Sequence, residues 1–342
     1  MRLLKPVYGQ ADAPRAWYQV AKKVGFSQHK LDGCLFRLFD SEGCLCCLVG
    51  LHVDDMLISG NPQSECYLTA KKLLREKFNF KHWTHTNERE KLDFCGCSLV
   101  KTPYGYQLGQ PEYFSKIKPI TIDPKRRDTA MASQNEISAL RAVLGALQRP
   151  STQTSPQLGA TVSLLSGQIT AATTEDLRDA NKALKFAKMN NDVWLQFRPL
   201  GQISDTVLLA MSDASWGIRR EGHSHGGYLL MLAPQEIIDG QATSYIILDW
   251  PSFRLPRVSR SSLNAESHVL LRWIVWNTPA LWFKAAWMLT IPCNFQVIGW
   301  WTNLPWLWMP KPCTIQFVLK FPNEDAATTW SQCPQVCPFK SC

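Results

Sequence analysis

The stretch Leu51-His52-Val53-Asp54-Asp55-Met56-Leu57-Ile58-Ser59-Gly60 places two adjacent carboxylates between two apolar arms. Each arm has the short apolar pattern that is typical of a β-strand. A solvated turn usually contains Gly or Pro, whereas strand-forming residues flank this pair on both sides. Carboxylate oxygens are the ligands that divalent cations such as Mg²⁺ prefer. The stretch therefore predicts a β-hairpin that carries Asp54 and Asp55 at its tip, with a solvated Asp-Asp turn as the alternative.

The length and charge of the chain indicate how many domains it can form and which kind of partner it favours. Its 342 residues suffice for two ordinary domains, and a hydrophobic share of 45% with a charged share of 19% is typical of folded proteins. Lys plus Arg outnumber Asp plus Glu by 37 to 28, which gives a formal net charge of +9. This excess favours a polyanionic partner such as nucleic acid, although many basic proteins bind nothing in particular.

Twelve cysteines are dispersed along the chain, and no apolar segment typical of a signal peptide opens it. This pattern favours a reducing compartment over a secreted disulfide scaffold. Cys44 and Cys47 form a C-x-x-C, but they lie in an apolar run and no second ligand pair follows at zinc-finger spacing. We therefore expect a buried strand there rather than a zinc site.

Helical and strand-like stretches alternate along the chain and predict the α/β (α+β) class. The predicted helices are Ala13–Val24, a segment around Tyr67–Leu74, Glu136–Leu147, Thr174–Lys188 and Leu263–Trp276. The predicted strands are Cys34–Phe39, Cys44–His52, pieces within Lys91–Leu108, Thr206–Met211, Gly227–Leu232 and Tyr245–Leu248. Beyond about residue 281 the sequence is rich in Trp and Cys, and its apolar residues follow neither the helical nor the strand period.

Two motifs give the N-terminal part a family resemblance. His52-Val53-Asp54-Asp55 resembles the YVDD box of reverse transcriptases, with His in place of Tyr. The segment from Leu4 to Tyr18, Leu-Lys-Pro-Val-Tyr-Gly-Gln-Ala-Asp-Ala-Pro-Arg-Ala-Trp-Tyr, is similar to the Ty1/copia signature L-x-K-x-L-Y-G-L-x-Q-A-P-R-x-W-Y. Further along, Leu108, Gln110 and Tyr113 resemble the family's L-x-Q-x-x-Y element.

This resemblance implies part of a polymerase palm. Asp54 and Asp55 would be two of its three metal-binding carboxylates, and the family's third lies upstream of the Tyr-Gly motif. We expect that third carboxylate to be missing, because the chain begins a few residues before the motif. The resemblance also assigns six residues to the nucleotide and template side of the site: Tyr8, Gly9, Gln10, Pro14, Arg15 and Trp17.

A second set of motifs resembles copia-type ribonuclease H. The matching segments are Met211–Gly217, His223–Tyr228, Trp250–Ser252 and Arg260–Glu266, which are similar to the S-D-A-D-W-A-G, S-T-S-G-Y, W-x-S and S-S-x-E-A-E elements. The resemblance makes Asp213 and Glu266 metal-binding carboxylates; without it they are ordinary surface acids. The family's next catalytic Asp should follow Glu266 on a strand, but no Asp occurs between Glu266 and Asn323. We expect His223 and His225 to be loop residues rather than metal ligands.

Together these features predict four segments: a partial reverse-transcriptase palm over residues 1–120, a helical connection over 121–200, an incomplete ribonuclease H-like domain over 201–280, and a divergent tail, disordered or out of frame, over 281–342. The resemblance implies RNA-directed DNA polymerase and hybrid ribonuclease ancestry, with Mg²⁺ or Mn²⁺ as cofactor. Implied partners are an RNA/DNA hybrid or other nucleic acid and the remainder of a Pol polyprotein.

The resemblance further implies an intracellular location, in cytoplasmic virus-like particles or in the nucleus. We expect no membrane insertion, because prolines and polar residues interrupt the uncharged tail segment 285–310. With one carboxylate of each site expected to be missing, the chain is predicted to be inactive in isolation. The alternative is a non-enzymatic nucleic-acid-binding relic or a non-functional gene product.

Overall fold

The structure, a computed structural model, combines helices with antiparallel sheets, which confirms the α/β class predicted from the sequence. It divides into two compact units, Met1–Cys97 and Ser98–Cys342. The structure describes residues 13–272 and the backbone of residues 296–299 and 315–320, apart from residues 31, 53–54, 79, 81–82, 86–90, 202–204 and 220–221 and from the side chains of residues 13–16.

The first unit contains a four-stranded antiparallel sheet, with one helix before it in the chain and one after it. Its elements are α1 (Ala13–Val24), β1 (Ser27–Gln28), β2 (Leu35–Phe39), β3 (Leu45–His52), β4 (Asp55–Gly60), α2 (Glu65–Lys77) and β5 (Lys91–Phe94). The sheet order is β1-β2-β3-β4, so each strand pairs with its neighbour in sequence. The predicted bounds of α1, β2 and β3 are confirmed to within one residue.

Short polar segments fix where the strands and helices of this unit begin. The Asp40 carboxylate accepts hydrogen bonds from the backbone N–H groups of Glu42 (3.0 Å) and Cys44 (2.8 Å) and so closes the β2–β3 turn. Gly43 in this turn has a φ of 83°, a conformation that only glycine adopts without steric cost. Ser64 caps α2 by accepting a hydrogen bond from the backbone N–H of Tyr67 at 3.4 Å.

An apolar cluster between the sheet and its helices forms the core of the first unit. Its buried members are Ala21, Phe26, Phe36, Leu38, Cys46, Cys47, Val49, Ala70 and Leu74. Cys47 of the C-x-x-C is therefore a core residue of β3, whereas Cys44 is exposed just before the strand. The buried strand predicted at this motif is confirmed.

The second unit combines a helical cluster with two sheets. Its elements are β6 (Cys97–Thr102), β7 (Gly105–Gly109), α3 (Gln134–Gln153), α4 (Gly159–Ser166), α5 (Thr174–Met189), β8 (Leu195–Phe197), β9 (Thr206–Ser215), β10 (His225–Pro234), β11 (Ile246–Asp249), β12 (Ser252–Arg254), α6 (residues 262–272), β13 (Gln296–Gly299) and β14 (Ile315–Lys320). β6, β7 and β8 pair in antiparallel order. The larger sheet has the order β11-β10-β9-β14-β13, with β12 also pairing with β10.

Side-chain caps start the two long helices of this unit. The Glu136 carboxylate accepts a hydrogen bond from the backbone N–H of Ser133 (2.7 Å), and that of Asp176 accepts one from the backbone N–H of Thr173 (2.7 Å). These contacts satisfy backbone donors that a helix start leaves unpaired. α5 therefore has Thr173 at its N-cap and begins at Thr174, the first residue of the predicted helix.

The helices α3, α4 and α5 pack around one apolar cluster. Its fully buried leucines are Leu140, Leu144, Leu147, Leu158, Leu177 and Leu184. At about 25 cal/mol per Å² of apolar surface removed from water, a cluster of this kind dominates the stability of the helical part. The helices predicted within residues 121–200 are thus confirmed, while the predicted boundaries of the four segments remain predictions.

The larger sheet also includes two short segments beyond residue 280, where the sequence predicts a divergent tail. β14 pairs antiparallel with β9, from Ile315↔Ser212 to Lys320↔Val207, and β13 pairs with β14. Both segments are rich in residues of high β-propensity, and the edge of β9 offers unpaired backbone groups. Neither segment contains an Asp or a Glu, so the added strands bring no acid to the sheet.

Within the part of the chain that the structure describes, no helix has the length and apolar character needed to cross a bilayer.

Candidate metal-binding carboxylates

The β3–β4 hairpin carries the first candidate carboxylates. Its pairing runs from Cys47↔Gly60 to His52↔Asp55, so residues 53 and 54 connect the two strands. This register confirms the predicted hairpin, and the Asp55 side chain is exposed at the start of β4. Asp54 lies outside the described residues. The hairpin presents Asp55 to solvent, and the metal-binding role of both acids remains a prediction.

The residues predicted to form the nucleotide and template side lie mostly outside the described part. Tyr8, Gly9 and Gln10 precede it, and Pro14 and Arg15 are described only by their backbone in α1. Trp17 is half-buried: its ring centroid lies 4.5 Å from that of Phe36 and 5.8 Å from that of Phe78. Trp17 therefore holds α1 against the sheet, and a nucleotide contact of its own remains a prediction.

Asp213 and Glu266 come from distant parts of the sequence and lie close together in the second unit. Asp213 is exposed on β9, opposite Gly227 of β10, and Glu266 is half-buried on α6. Burial and then the nearby negative charge of Asp213 raise the pKa of the Glu266 carboxyl above its usual range. Because the charge of Asp213 disfavours ionisation of Glu266, a cation bound between the two carboxylates would be stabilising.

Two adjacent glycines on β10 let the surrounding chain come close enough to form this pair. A Cβ on Gly226 would lie 2.2 Å from Cγ2 of Val269 on α6, and a Cβ on Gly227 would lie 3.0 Å from the carbonyl oxygen of Pro251. Val269 is fully buried in a cluster with Leu255 and Ala265. The Gly-Gly step therefore permits α6 to lie directly on the sheet and brings Glu266 towards Asp213.

Sequence reasoning missed a buried polar network beside this pair. Arg219 is 7% exposed; its Nε donates to Nδ1 of His225 at 3.1 Å, and a terminal nitrogen donates to the Ser163 carbonyl oxygen at 3.0 Å. Because arginine only donates, Nδ1 of His225 is an acceptor, so its Nε2 carries the proton and donates to Oγ of Ser252 at 2.7 Å. Nothing in the sequence signals the contact with Ser163, which lies far away in the chain.

The network fixes the charge state of His225. Burial, and secondarily the positive charge of Arg219, lower the pKa of His225 to about 4. The imidazole is therefore neutral near pH 7 and acts as a structural hydrogen-bonding group. His225 is the first residue of β10, and His223 lies just before it with its Nε2 2.5 Å from a terminal nitrogen of Arg254.

The L-x-Q-x-x-Y element joins β7 to the helical cluster. Gln110 is buried; its Nε2 donates to Oε1 of Gln153 at 3.2 Å, and its Oε1 accepts from Oγ1 of Thr154 at 3.0 Å. Tyr113 lies 5.9 Å from the Arg149 guanidinium. These contacts anchor the end of α3, so the motif has a structural role in addition to any family resemblance.

The donor chemistry of the Asp213–Glu266 pair fits a divalent cation only in part. Hard carboxylate oxygens are suitable ligands, and the pKa of Glu266 is raised by burial and then by the negative charge of Asp213, a charge that a bound cation would neutralise. Among the described residues, however, no group of three or more His, Cys, Asp or Glu side chains is placed to hold a metal ion. The pair therefore supplies part of a ligand set.

Comparison with known proteins agrees with the motifs. Residues 1–122 match the family described as "Reverse transcriptase (RNA-dependent DNA polymerase)". The chain is 27% identical over 286 residues to the "Retrovirus-related Pol polyprotein from transposon RE1" of Arabidopsis thaliana, and 27% identical over 284 residues to that from transposon RE2 of the same plant. Each alignment covers 78% of this chain and 18% of the relative. The chain thus spans about a fifth of these relatives, and the similarity continues past residue 122. No solved structure matches the chain significantly.

Proposed function

We propose that this chain is a fragment of a copia-type retrotransposon Pol protein, as its similarity to such proteins supports, and that it binds an RNA/DNA hybrid through a reverse-transcriptase palm portion and a ribonuclease H-like portion, without extending or cleaving it. The reverse-transcriptase assignment rests on the family match. The ribonuclease H-like portion, the hybrid and the lack of turnover are our inferences from the residues and their placement.

The observation that carries the proposal is the approach of Glu266 to Asp213. Burial, and after it the negative charge of Asp213, raise the pKa of the Glu266 carboxyl, and the second cause acts only because the fold brings these two acids, far apart in sequence, near each other. Mg²⁺ bound there would neutralise that repulsion and polarise the phosphate of a hybrid. Asp213 and Glu266 would hold the ion, and the basic residues of the chain would hold the nucleic-acid backbone.

Turnover is not expected of the ribonuclease H-like portion because no third acid among the described residues joins Asp213 and Glu266. The stretch from residue 267 to residue 322 contains no Asp or Glu, and β14, which pairs beside the Asp213 strand, is Ile-Gln-Phe-Val-Leu-Lys. A two-metal hydrolytic site needs several carboxylates to fix both ions. Two acids should bind one ion weakly and leave cleavage unsupported.

The palm portion contributes Asp54 and Asp55 at the β3–β4 hairpin. In this proposal they too are Mg²⁺ or Mn²⁺ ligands, and the remainder of a Pol polyprotein is the partner that supplies further ligands. Primer extension by this chain should stay at background with either ion. Extension that Asp54→Asn abolishes would contradict that part of the proposal.

Hybrid binding can be tested by fluorescence anisotropy with a labelled RNA/DNA duplex across a series of salt concentrations. The affinity should fall steeply as salt rises, because phosphate contacts release counterions. Mg²⁺ should increase the affinity of the wild-type chain and have less effect on Asp213→Asn. Asp239→Asn, which removes the same charge at an exposed turn, is the matched control. Binding that is indifferent to salt and to Mg²⁺ would overturn the proposal.

A second candidate function is nucleic-acid binding that uses no metal pair. It is favoured by one surface of the first unit, where the guanidinium of Arg75 lies 4.4 Å from the Trp83 ring centroid and the Lys71 ammonium lies 5.9 Å from it. Cations next to a partly exposed indole suit phosphate and base contacts with single strands. If this surface dominates, Arg75→Ala should weaken binding more than Asp213→Asn, and Mg²⁺ should have no specific effect.

A further inference from the structure

Two cysteines of the first unit face each other between β3 and α2. The Sγ atoms of Cys46 and Cys66 are 2.7 Å apart, and both residues are free thiols. Carbon atoms in van der Waals contact are about 3.5–4.0 Å apart, and sulfur is larger, so this approach is unusually close. A disulfide bond is about 2.05 Å long, so a shift of about 0.7 Å would bring the two sulfurs to bonding distance.

The surrounding packing holds β3 and the first turn of α2 close together, and with them the two sulfur atoms. A Cβ on Gly60 would lie 2.3 Å from Cδ2 of Tyr67 and 2.6 Å from the carbonyl oxygen of Cys46, so the first turn of α2 is seated directly on the hairpin. Sγ of Cys46 also lies 3.4 Å from the Leu38 carbonyl oxygen. Both residues lie in regular elements that pack on the same core cluster, Cys46 in β3 and Cys66 in α2, so the packing of these elements sets the backbone positions of the pair.

The two thiols differ in their access to solvent. Cys46 is 4% exposed, and burial, followed by its contact with Cys66, raises the pKa of its thiol to about 12. Cys66 is half-buried and lines a cavity of about 540 Å³ together with Ser64, Glu65 and Thr69. A small oxidant therefore reaches Cys66 first. Cys46 is buried next to it and stays protonated.

We propose that Cys46 and Cys66 are a redox-reactive pair that a hydroperoxide converts to a disulfide. The Cys66 sulfur attacks one peroxide oxygen, the O–O bond breaks, and the departing oxygen leaves as water with the Cys66 proton, giving a sulfenic acid on Cys66. The Cys46 sulfur then attacks the Cys66 sulfur, the S–O bond breaks, and the hydroxyl leaves as a second water with the Cys46 proton. Two thiols lose two electrons, and hydrogen peroxide is reduced to two waters.

The cross-link would act on the element that carries Asp55. Cys46 is the second residue of β3, the strand that leads to His52 and the hairpin connection, and Cys66 is in the first turn of α2. A covalent tie between them fixes α2 to the hairpin and should protect the segment from proteolysis. In a reducing compartment such a bond is transient, so it would form under peroxide and be reversed by thiol reductants. This pair stands independently of the nucleic-acid function proposed above.

The test uses the full chain, reduced, exposed to hydrogen peroxide and then alkylated to block free thiols. Trypsin is unsuitable because no Lys or Arg lies between Arg37 and Lys71, which leaves both cysteines in one peptide. Cleavage after glutamate separates residues 43–65 from residues 66–76. Mass spectrometry should find these two peptides joined, lighter by two hydrogens than their sum, and separate again after reduction.

Matched variants identify the partners. Cys46→Ser and Cys66→Ser should each reduce the cross-linked species to background, while Cys44→Ser, which removes an exposed thiol from the same peptide, should leave it unchanged. Far-UV circular dichroism of each variant shows whether it is folded, and Cys66→Ser tests the pair without altering a buried position. A link from Cys66 to Cys44 or Cys47, or a Cys66 that remains alkylated while exposed Cys34 is oxidised, would overturn the proposal.

Discussion

The two pairs of candidate carboxylates are assembled in different ways. Asp54 and Asp55 are neighbours in sequence on one hairpin, whose register is set by local pairing up to His52↔Asp55. Asp213 and Glu266 meet only because α6 packs on β10 at Gly226, a contact between distant parts of the chain. The first arrangement needs a hairpin, whereas the second needs an intact tertiary core. The second pair should therefore be more sensitive to changes in packing and pH.

Acid should produce the largest effect, and it should act on the second unit. The pKa of His225 is lowered to about 4 in the folded protein, so the unfolded chain, with its ordinary value near 6.5, takes up the proton first as pH falls. Above pH 6.5, His225 is neutral in both states and does not reduce the free energy of unfolding. As pH falls from 6.5 to 4, the free energy of unfolding should decrease by roughly 3 kcal/mol at most. Urea unfolding at a series of pH values should show this loss in the wild-type chain and less of it in His225→Gln. Equal pH dependence in both proteins would refute the assignment.

A methyl group on Gly226 should have the next largest effect. Its Cβ would lie 2.2 Å from Val269, so Gly226→Ala forces α6 away from the sheet and should cost roughly 2 kcal/mol, as overpacking of a core typically does. Gly50→Ala on β3 is the matched control, because a Cβ there meets nothing within 4 Å. It should change stability by less than about 0.5 kcal/mol. The free energies of unfolding of the two variants in denaturant check this contrast, and equal values would contradict it.

Neutralising one acid of each pair should give the smallest effect on stability, and for Glu266 this effect should depend on pH. The pKa of Glu266 is raised, so its ionised form is disfavoured in the folded state, and Glu266→Gln should slightly stabilise the protein near pH 7. The gain should disappear as pH falls below the ordinary glutamate range, where Glu266 is protonated in both states. Asp55→Asn removes an exposed charge and should leave the thermal midpoint almost unchanged. A wild-type chain that is more stable than Glu266→Gln at pH 7 would show that the ionised form of Glu266 is not disfavoured in the folded protein.

The sequence predicts those parts of the structure that depend on near neighbours. α1, the β2–β3 hairpin and the start of α5 follow from apolar spacing, turn residues and acidic first turns. It does not predict that Trp17 packs between Phe36 and Phe78, because the family signature assigns that residue to the nucleotide side. The sequence also does not predict the pairing of β14 with β9. A strand that joins the open edge of a sheet is held by backbone hydrogen bonds, so its side chains need not alternate clearly between apolar and polar.

The buried network around Arg219 shows why contacts between distant residues could not be predicted from the sequence. Its partners His225, Ser252 and Ser163 are ordinary polar residues, and only the fold places them within hydrogen-bond distance. The same holds for the Cys46–Cys66 contact. In contrast, both candidate carboxylate pairs were identified from motifs, and the fold adds the proximity of Asp213 to Glu266.

In the proposed function, the portion that contains Asp213 and Glu266 binds an RNA/DNA hybrid without cleaving it. The most direct measurement incubates the purified chain with an RNA/DNA hybrid labelled on its RNA strand, in Mg²⁺ and in Mn²⁺, and follows binding and RNA length on the same samples. We expect a salt-sensitive complex in which the RNA remains full length, because Asp213 and Glu266 are not joined by a further acid among the described residues. Metal-dependent shortening of the RNA that is abolished by Asp213→Asn would contradict the account.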